Sequence, residues 1–248
     1  MKVQLIGNNQ GQQALAAPGV RREINRLKKM LQSVPQLEWP YKSRKQPGLR
    51  LLQPALNTWI SQELEELGWT ANSPLLLTEG HPHGRRVDFI KFVGDGATRI
   101  IVQVQFGNSG RMYADFYKFL TAHSAKELTL GVMITLTKPT AKITDTGIVT
   151  FESVAEHMTE GADAAVRFPF VCLGLTHCDN PENTIDFSKG NFDNSRISMG
   201  TGIKKALGTI IQTLRKDRTT IAQSGIRMPR ARVRIRQPRI EVQNHKSQ

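Results

Sequence analysis

The sequence predicts an α/β fold, a mixed central sheet flanked by helices, with helical N-terminal and basic C-terminal extensions. Three observations predict it. Between residues 53 and 136, apolar patterns of helical and strand period follow in the order helix, three strands, helix, strand. Leu128–Leu136 is a nearly continuous apolar run, which suits a strand covered on both faces. The chain has 248 residues, enough for one sizeable core with appended arms, so we divide it into one domain over 1–225 and a basic arm over 226–248.

Val3-Gln-Leu-Ile6 is a short strand, followed by a Gln/Asn/Gly-rich stretch to residue 16. From Pro18 the spacing of Val20, Ile24, Leu27 and Leu31 predicts a helix with one apolar face. Arg21, Arg22, Arg26, Lys28 and Lys29 lie on its other face. The stripe can pack on the chain's own core or on its copy in a dimer. Residues 35–50, with three prolines, read as an extended loop in which Trp39 and Tyr41, among Lys42, Arg44, Lys45 and Arg50, can follow a phosphate backbone. Asn57 is the expected cap of a helix to Leu67 that turns Trp59, Ile60 and Leu64 inward and stops at Gly68. Residues 73–78 then read as a strand, and His81 and His83 as exposed turn residues.

Val87–Val93 and Arg99–Phe106 are strands joined through Gly94-Asp95-Gly96. After Gly107-Asn-Ser-Gly110 a helix buries Met112, Phe116, Phe119 and Leu120, and residues 137–147 form a polar loop. Strands are expected at 148–151 and 168–175, with a short helix over Glu152–Thr159 between them. Asp179–Ser198 reads as a loop, and Ile203, Leu207, Ile210, Ile211 and Leu214 as a final amphipathic helix opened by glycines, with Lys204 and Lys205 in its first turns.

Charge narrows the classes of function. Lys and Arg number 34 against 21 acids, a net charge of +13, which points to a polyanionic partner. Residues 226–248 carry seven cations against Glu241 alone, alternating Arg230, Arg232 and Arg234 with Ala and Val, as in an arm that follows a nucleic-acid backbone. Two cysteines make neither a disulfide framework nor a four-ligand zinc site, and Cys172 falls in an apolar strand pattern. The absence of a long apolar run predicts a soluble, cytoplasmic protein with no membrane partner.

Chemistry concentrates in the hairpin. If its strands pair around the glycines, Asp88 on the first comes close to Gln103 and Gln105 on the second, because alternate residues of a strand share a face. A carboxylate converging with amide oxygens is the kind of hard-oxygen site that holds Mg²⁺ for phosphodiester hydrolysis.

The stretch Asp88, hairpin, Gln103-Val-Gln-Phe106-Gly resembles the catalytic motif of the PD-(D/E)XK nucleases, in the variant of the BglII/BstYI-type restriction endonucleases. The resemblance covers residues 53–177, from the helix ending in Gly68-Trp69 to the strand at Phe168-Pro-Phe-Val-Cys-Leu-Gly-Leu175, and leaves both ends outside. It implies a PD-(D/E)XK restriction-endonuclease-like core and a homodimeric type II enzyme. Such an enzyme would use Mg²⁺, with Ca²⁺ or Mn²⁺ as substitutes, to cut double-stranded DNA at a short palindrome, with a GATC-containing site as the guess. Asp88 matches the first metal-binding Asp and Gln105 the Gln that stands where most relatives carry Lys. Gln103 stands where the family has Glu, so the resemblance implies metal ligands at Asp88, Gln103 and Val104 with one negative charge missing and cleavage reduced.

Glu63, on the preceding helix, and Glu79 are candidates to supply that charge. Asn108 matches an Asn that contacts bases in the family. With Ser109, Arg111 and Lys138 it makes up the expected DNA-binding set at the strand ends, beside Lys42, Arg44, Lys45, Lys204, Lys205 and the C-terminal arginines. The alternative is a DNA-binding or RNA-binding module on a nuclease fold that never cuts.

Overall fold

The computed structural model describes residues 1–39, 43, 46–75, 86–94, 96, 98–159, 166–178, 183–186, 211, 212, 214 and 215. A six-stranded mixed sheet forms its centre. In chain order the elements are β1 (Lys2–Gly7), α1 (Asn9–Ala16), α2 (Pro18–Ser33), β2 (Gln36–Glu38), α3 (Gln53–Glu66), β3 (Thr70–Pro74), β4 (Arg86–Val93), β5 (Thr98–Val104), α4 (Ser109–Ser124), β6 (Leu130–Leu136), α5 (Lys138–Lys142), α6 (Phe151–Thr159), β7 (Phe170–Thr176) and β8 (Thr184–Asp186). The strand order is β1-β7-β6-β5-β4-β3, and β2 pairs with β8 in a small parallel sheet. Strands β5, β6 and β7 run parallel, while β3, β4 and β1 are antiparallel to their neighbours. Their directions set the working edge: the carboxyl ends of the three parallel strands and the start of β4 lie along one side of the sheet.

Alternation along the strands divides the core. Ile100 and Val102 of β5, with Val132 and Ile134 of β6, face the buried stripes of α2 and α3. Ile101 and Met133 face α4 and α6 on the opposite side. There Phe116 and Phe119 of α4 pack edge-on or tilted against Phe168 and Phe170, with centroids 5.5–6.5 Å apart, fixing the helix to the sheet. Odd-numbered β5 residues therefore point at α4, and Gln103 is one of them.

The α/β class and the order of elements stand as the sequence predicts, and the α2 stripe packs on the chain's own core: Val20, Ile24, Leu27 and Leu31 are all at most 1% exposed. Several details differ. The Gln-rich stretch contains α1, whose first turn is capped by Asn8 Oδ1 accepting from Gly11 N and whose Gly11 lies against the Phe170 backbone, where a Cβ would come within 2.1 Å. Capping and close packing, rather than an apolar stripe, make it helical. Trp39 is buried in the core instead of lying along a phosphate backbone. Asn57 sits inside α3, which begins four residues earlier with Pro54 in its first turn. Of the strand expected at 73–78, Ser73 and Pro74 belong to β3, which starts earlier, at Thr70, while residues 76–78 lie outside the described residues. The loop at 137–147 contains α5, and residues 148–151 contribute one bridge, Leu136 to Thr150, before α6 starts at Phe151.

Of the final helix, Ile211 and Leu214 are described and buried in the same core as α2 and α3. Tyr41, Lys42, Arg44, Lys45, Glu79, His81, His83, Lys204, Lys205 and residues 226–248 lie outside the described residues. Among the described residues no helix is long and apolar enough to cross a membrane.

Candidate active site

The hairpin places Asp88 opposite the end of β5. Pairing between β4 and β5 runs from Val93↔Thr98 to Phe89↔Val102 and goes no further. Both turn glycines have positive φ, Gly94 at 69° and Gly96 at 87°, as the reversal requires. Beyond Phe89 the strands part, and the backbone N–H of Val104 donates to Asp88 Oδ2 at 2.9 Å instead of to a β4 carbonyl. A side chain thus completes the strand ladder where the sheet opens.

Gln103 lies between two carboxylates. With its amide nitrogen toward them, Nε2 donates to Asp88 Oδ2 at 3.2 Å and to Asp115 Oδ1 at 3.1 Å, while Oε1 accepts from Asp88 N at 3.2 Å. The opposite orientation would turn Oε1 toward both acids and leave Lys118 Nζ, at 3.3 Å, as its donor. The first orientation satisfies the amide at both ends. Gln103 is 1% exposed, so its hydrogen bonds are shielded from water.

Gln105 turns away from Asp88 toward α4. Its Nε2 donates to Asp115 Oδ2 at 2.8 Å, and its Oε1 accepts from Gly107 N at 2.8 Å. Glycine at 107 leaves room for this amide, since a Cβ there would stand 2.9 Å from Gln105 Oε1 and 2.8 Å from Arg111 Cδ. Lys118, one helical turn beyond Asp115, donates from Nζ to Asp115 Oδ1 at 2.8 Å. Burial raises the pKa of Asp88, against the opposing Val104 hydrogen bond and the Lys118 charge. Burial likewise raises that of Asp115, opposed by Lys118 and Gln105, with the Asp88 charge pushing it further up.

Of the residues singled out from sequence, Asp88, Gln103, Val104 and Gln105 therefore converge, and Asp115 and Lys118 of α4 join them unannounced. A signal for Asp115 was present: it stands on the apolar stripe of Met112, Phe116 and Phe119, where an acid is out of place without a partner. Glu63 is not part of this group. Its Oε1 accepts from Trp59 Nε1 and from Arg215 Nε, each at 3.1 Å. Asn108 is the N-cap of α4, in extended backbone (φ −81°), with Oδ1 accepting from Arg111 N at 3.2 Å. Asn108, Ser109 and Arg111 are exposed at that helix start, and Lys138 is exposed at the start of α5, just past the end of β6. His177 and Cys178 engage the small sheet, His177 Nε2 with Glu38 Oε1 at 2.5 Å and Cys178 N with Gln36 Oε1 at 3.0 Å.

The ligand atoms that the site can offer a cation are oxygens, those of the Asp88 and Asp115 carboxylates and of the neighbouring backbone, since Gln103 turns its nitrogen to the acids and Gln105 Oε1 is taken by Gly107 N. That chemistry fits Mg²⁺, Mn²⁺ or Ca²⁺, which take carboxylate and carbonyl ligands and complete their shells with water. Among the described residues no group of three or more His, Cys, Asp or Glu side chains converges as a metal cage. The site offers two carboxylates, and a hydrated Mg²⁺ is commonly held by one or two.

A mixed sheet whose central strands part over a half-buried Asp, with helices on both faces, is the architecture of the restriction-endonuclease class of fold. The family model described as restriction endonuclease BglII/BglIII matches residues 5–175, and the chain belongs to that family. The match begins within β1, so the N-terminal strand and helices, left outside the resemblance on sequence grounds, are part of the family's span. The crystal structure of restriction endonuclease BglII complexed with a DNA 16-mer is similar with a TM-score of 0.56 at 18% identity, covering 72% of this chain and 78% of that one. The crystal structure of free BglII matches at 18% identity and a TM-score of 0.46, over 72% of this chain and 81% of that one. A search of curated proteins found no match.

Proposed function

We propose that this chain is a type II restriction endonuclease that hydrolyses double-stranded DNA at a short palindrome, with Mg²⁺ as its metal and a homodimer as its working form. The observation that carries the reading is Asp88 at the parted edge of β4 and β5, facing Gln103 and the Val104 backbone, in a member of the BglII/BglIII family. A two-fold symmetric pair of chains suits a palindromic duplex, which presents the same half-site twice. The DNA 16-mer bound to BglII is that protein's ligand; a net charge of +13 supports the same class of partner here.

Each group has a role that follows from its position. Asp88 and the Val104 carbonyl are the oxygens that would hold Mg²⁺, which when bound supplies an activated water and charge stabilisation at the phosphate. Gln105, tied to Asp115 and Gly107, orients the attacking water or a phosphate oxygen from a fixed amide. Being neutral, Gln105 gives no cationic clamp. Gln103 brings no charge where the family carries Glu, and cleavage is attenuated accordingly.

Asn108, Ser109 and Arg111 at the start of α4 and Lys138 at the start of α5 lie past the ends of β5 and β6, where a duplex laid across the site would pass. We assign Asn108 and Arg111 to base edges or phosphates and Lys138 to phosphates. Lys42, Arg44, Lys45, Lys204, Lys205, Arg230, Arg232 and Arg234 are assigned to the backbone on charge alone. Cleavage of a plasmid in Mg²⁺ by this chain and by Asp88→Asn tests the reading. Discrete fragments from the first and none from the second support it; fragments from both overturn it. Duplex binding without cleavage by the unaltered chain and by Gln103→Glu would instead mark a binding module.

A further inference from the structure

Position 103 poses a question that Asp115 answers. Gln103 faces the acids with its amide nitrogen, at 3.2 Å from Asp88 Oδ2 and 3.1 Å from Asp115 Oδ1. In that arrangement it contributes a donor to two carboxylates and no charge. The second anionic oxygen of the site comes from α4, ten residues further along the chain than Gln105. We infer that Asp115 supplies the second negative charge of the metal site, with Gln103 serving as an amide bridge between Asp115 and Asp88. This rests on the nuclease reading above and deepens it.

Three observations support the assignment. First, both carboxylates bond to a single amide nitrogen, at 3.2 and 3.1 Å, which gathers the two acids at one end of the Gln103 side chain. Second, Asp115 is held from two further directions, by Gln105 Nε2 at Oδ2 and by Lys118 Nζ at Oδ1, each at 2.8 Å. These bonds fix both of its carboxylate oxygens beside the two glutamines at the end of β5. Third, Lys118 keeps 24% of its side chain exposed and hangs on a flexible stem, so its ammonium is a counter-ion that can withdraw when a metal brings its own charge. Gln105, which the reading above makes the water-orienting group, is itself positioned by Asp115, so one side chain serves both halves of the site.

The test is Mn²⁺ binding to the full-length chain without DNA, followed by electron paramagnetic resonance, with circular dichroism to confirm folding. Four proteins are compared: the unaltered chain, Asp88→Asn, Asp115→Asn and the double variant Gln103→Glu/Asp115→Asn. Each single change should weaken Mn²⁺ binding by about tenfold or more, as loss of a ligand or its support does, and the double variant should recover most of that loss. Recovery identifies the effect of Asp115 as charge at the metal rather than support of the fold. If Asp115→Asn binds Mn²⁺ like the unaltered chain while Asp88→Asn does not, Asp115 is structural and the inference fails, with the nuclease reading intact. If the unaltered chain binds no Mn²⁺, or Asp88→Asn binds it equally well, the inference and the metal site both fall.

Discussion

Gln105 Nε2 and Asp115 Oδ2 lie 2.8 Å apart, and this bond joins the residue after β5 to the middle of α4 across the sheet edge. It makes the strand end and the helix one polar unit. The same Asp115 reaches Gln103, and Gln103 reaches Asp88, so four side chains from two strands and a helix form a continuous path. Changes at any of them should be felt at the others.

Gln103→Glu adds a third carboxylate beside Asp88 and Asp115 in a position only 1% exposed. Without metal, replacing a hydrogen-bond donor by a like charge should cost about 1–3 kcal/mol of stability. Adding Mg²⁺ or Mn²⁺ should return it. Thermal melts with and without metal measure both, and a variant whose melting ignores the metal contradicts the prediction.

The pH dependence of stability has a definite sign. Burial raises the pKa of Asp88 and of Asp115 above the ordinary 3.8, so in the metal-free chain the folded state holds protons that the unfolded state releases. The stability this contributes is complete below pH 3.8 and is lost as pH rises through the raised values. Asp115→Asn removes one such group. Relative to the unaltered chain, it should gain stability as pH rises from the carboxylate range to neutrality. Urea unfolding in EDTA at a series of pH values reads the difference, and a flat difference would count against it.

Gly107→Ala separates positioning from folding. The new Cβ meets the ends of two flexible side chains, Arg111 Cδ at 2.8 Å and Gln105 Oε1 at 2.9 Å, so the backbone can stay while Gln105 is pushed off its hydrogen bond to Gly107 N. Stability should change by less than about 1 kcal/mol, while Mg²⁺-dependent cleavage falls by about tenfold or more. A loss of stability matching the loss of activity would show that the loop is merely structural.

Glu63→Gln should leave Mn²⁺ binding and cleavage where they are. Its carboxylate is spent on Trp59 and Arg215 and is partly open to solvent, so its ion pair is worth about 0–1 kcal/mol of stability. A large fall in metal affinity would return Glu63 to the site.

Much of the site was legible in the sequence because strand period is a strong signal. Asp88, Gln103 and Gln105 fall on predictable faces of a hairpin announced by two glycines. Asp115 was harder to read, since a helix brings residues together with a strand ten positions away and no short pattern records that distance. Its one trace was an acid on an apolar stripe. α1 escaped because its stability comes from Asn8 and from Gly11 packed on the Phe170 backbone, interactions that hydrophobic period does not register. β3 was placed too late because the apolar run at Leu75–Leu77 outweighed Thr70–Ser73, whose pairing with β4 is set by the turn at Gly68, with φ at 81°. Glu63 drew attention for lying on the right helix, and Arg215, near the far end of the described chain, claims it.

Plasmid DNA incubated in Mg²⁺ with the unaltered chain, with Gln103→Glu and with Asp88→Asn is the most direct measurement of the central claim. The account predicts slow cleavage at defined sites by the unaltered chain, cleavage faster on the order of 10²-fold by Gln103→Glu at the same sites, and none by Asp88→Asn. Fragments produced equally by all three, or by none of them, would contradict it.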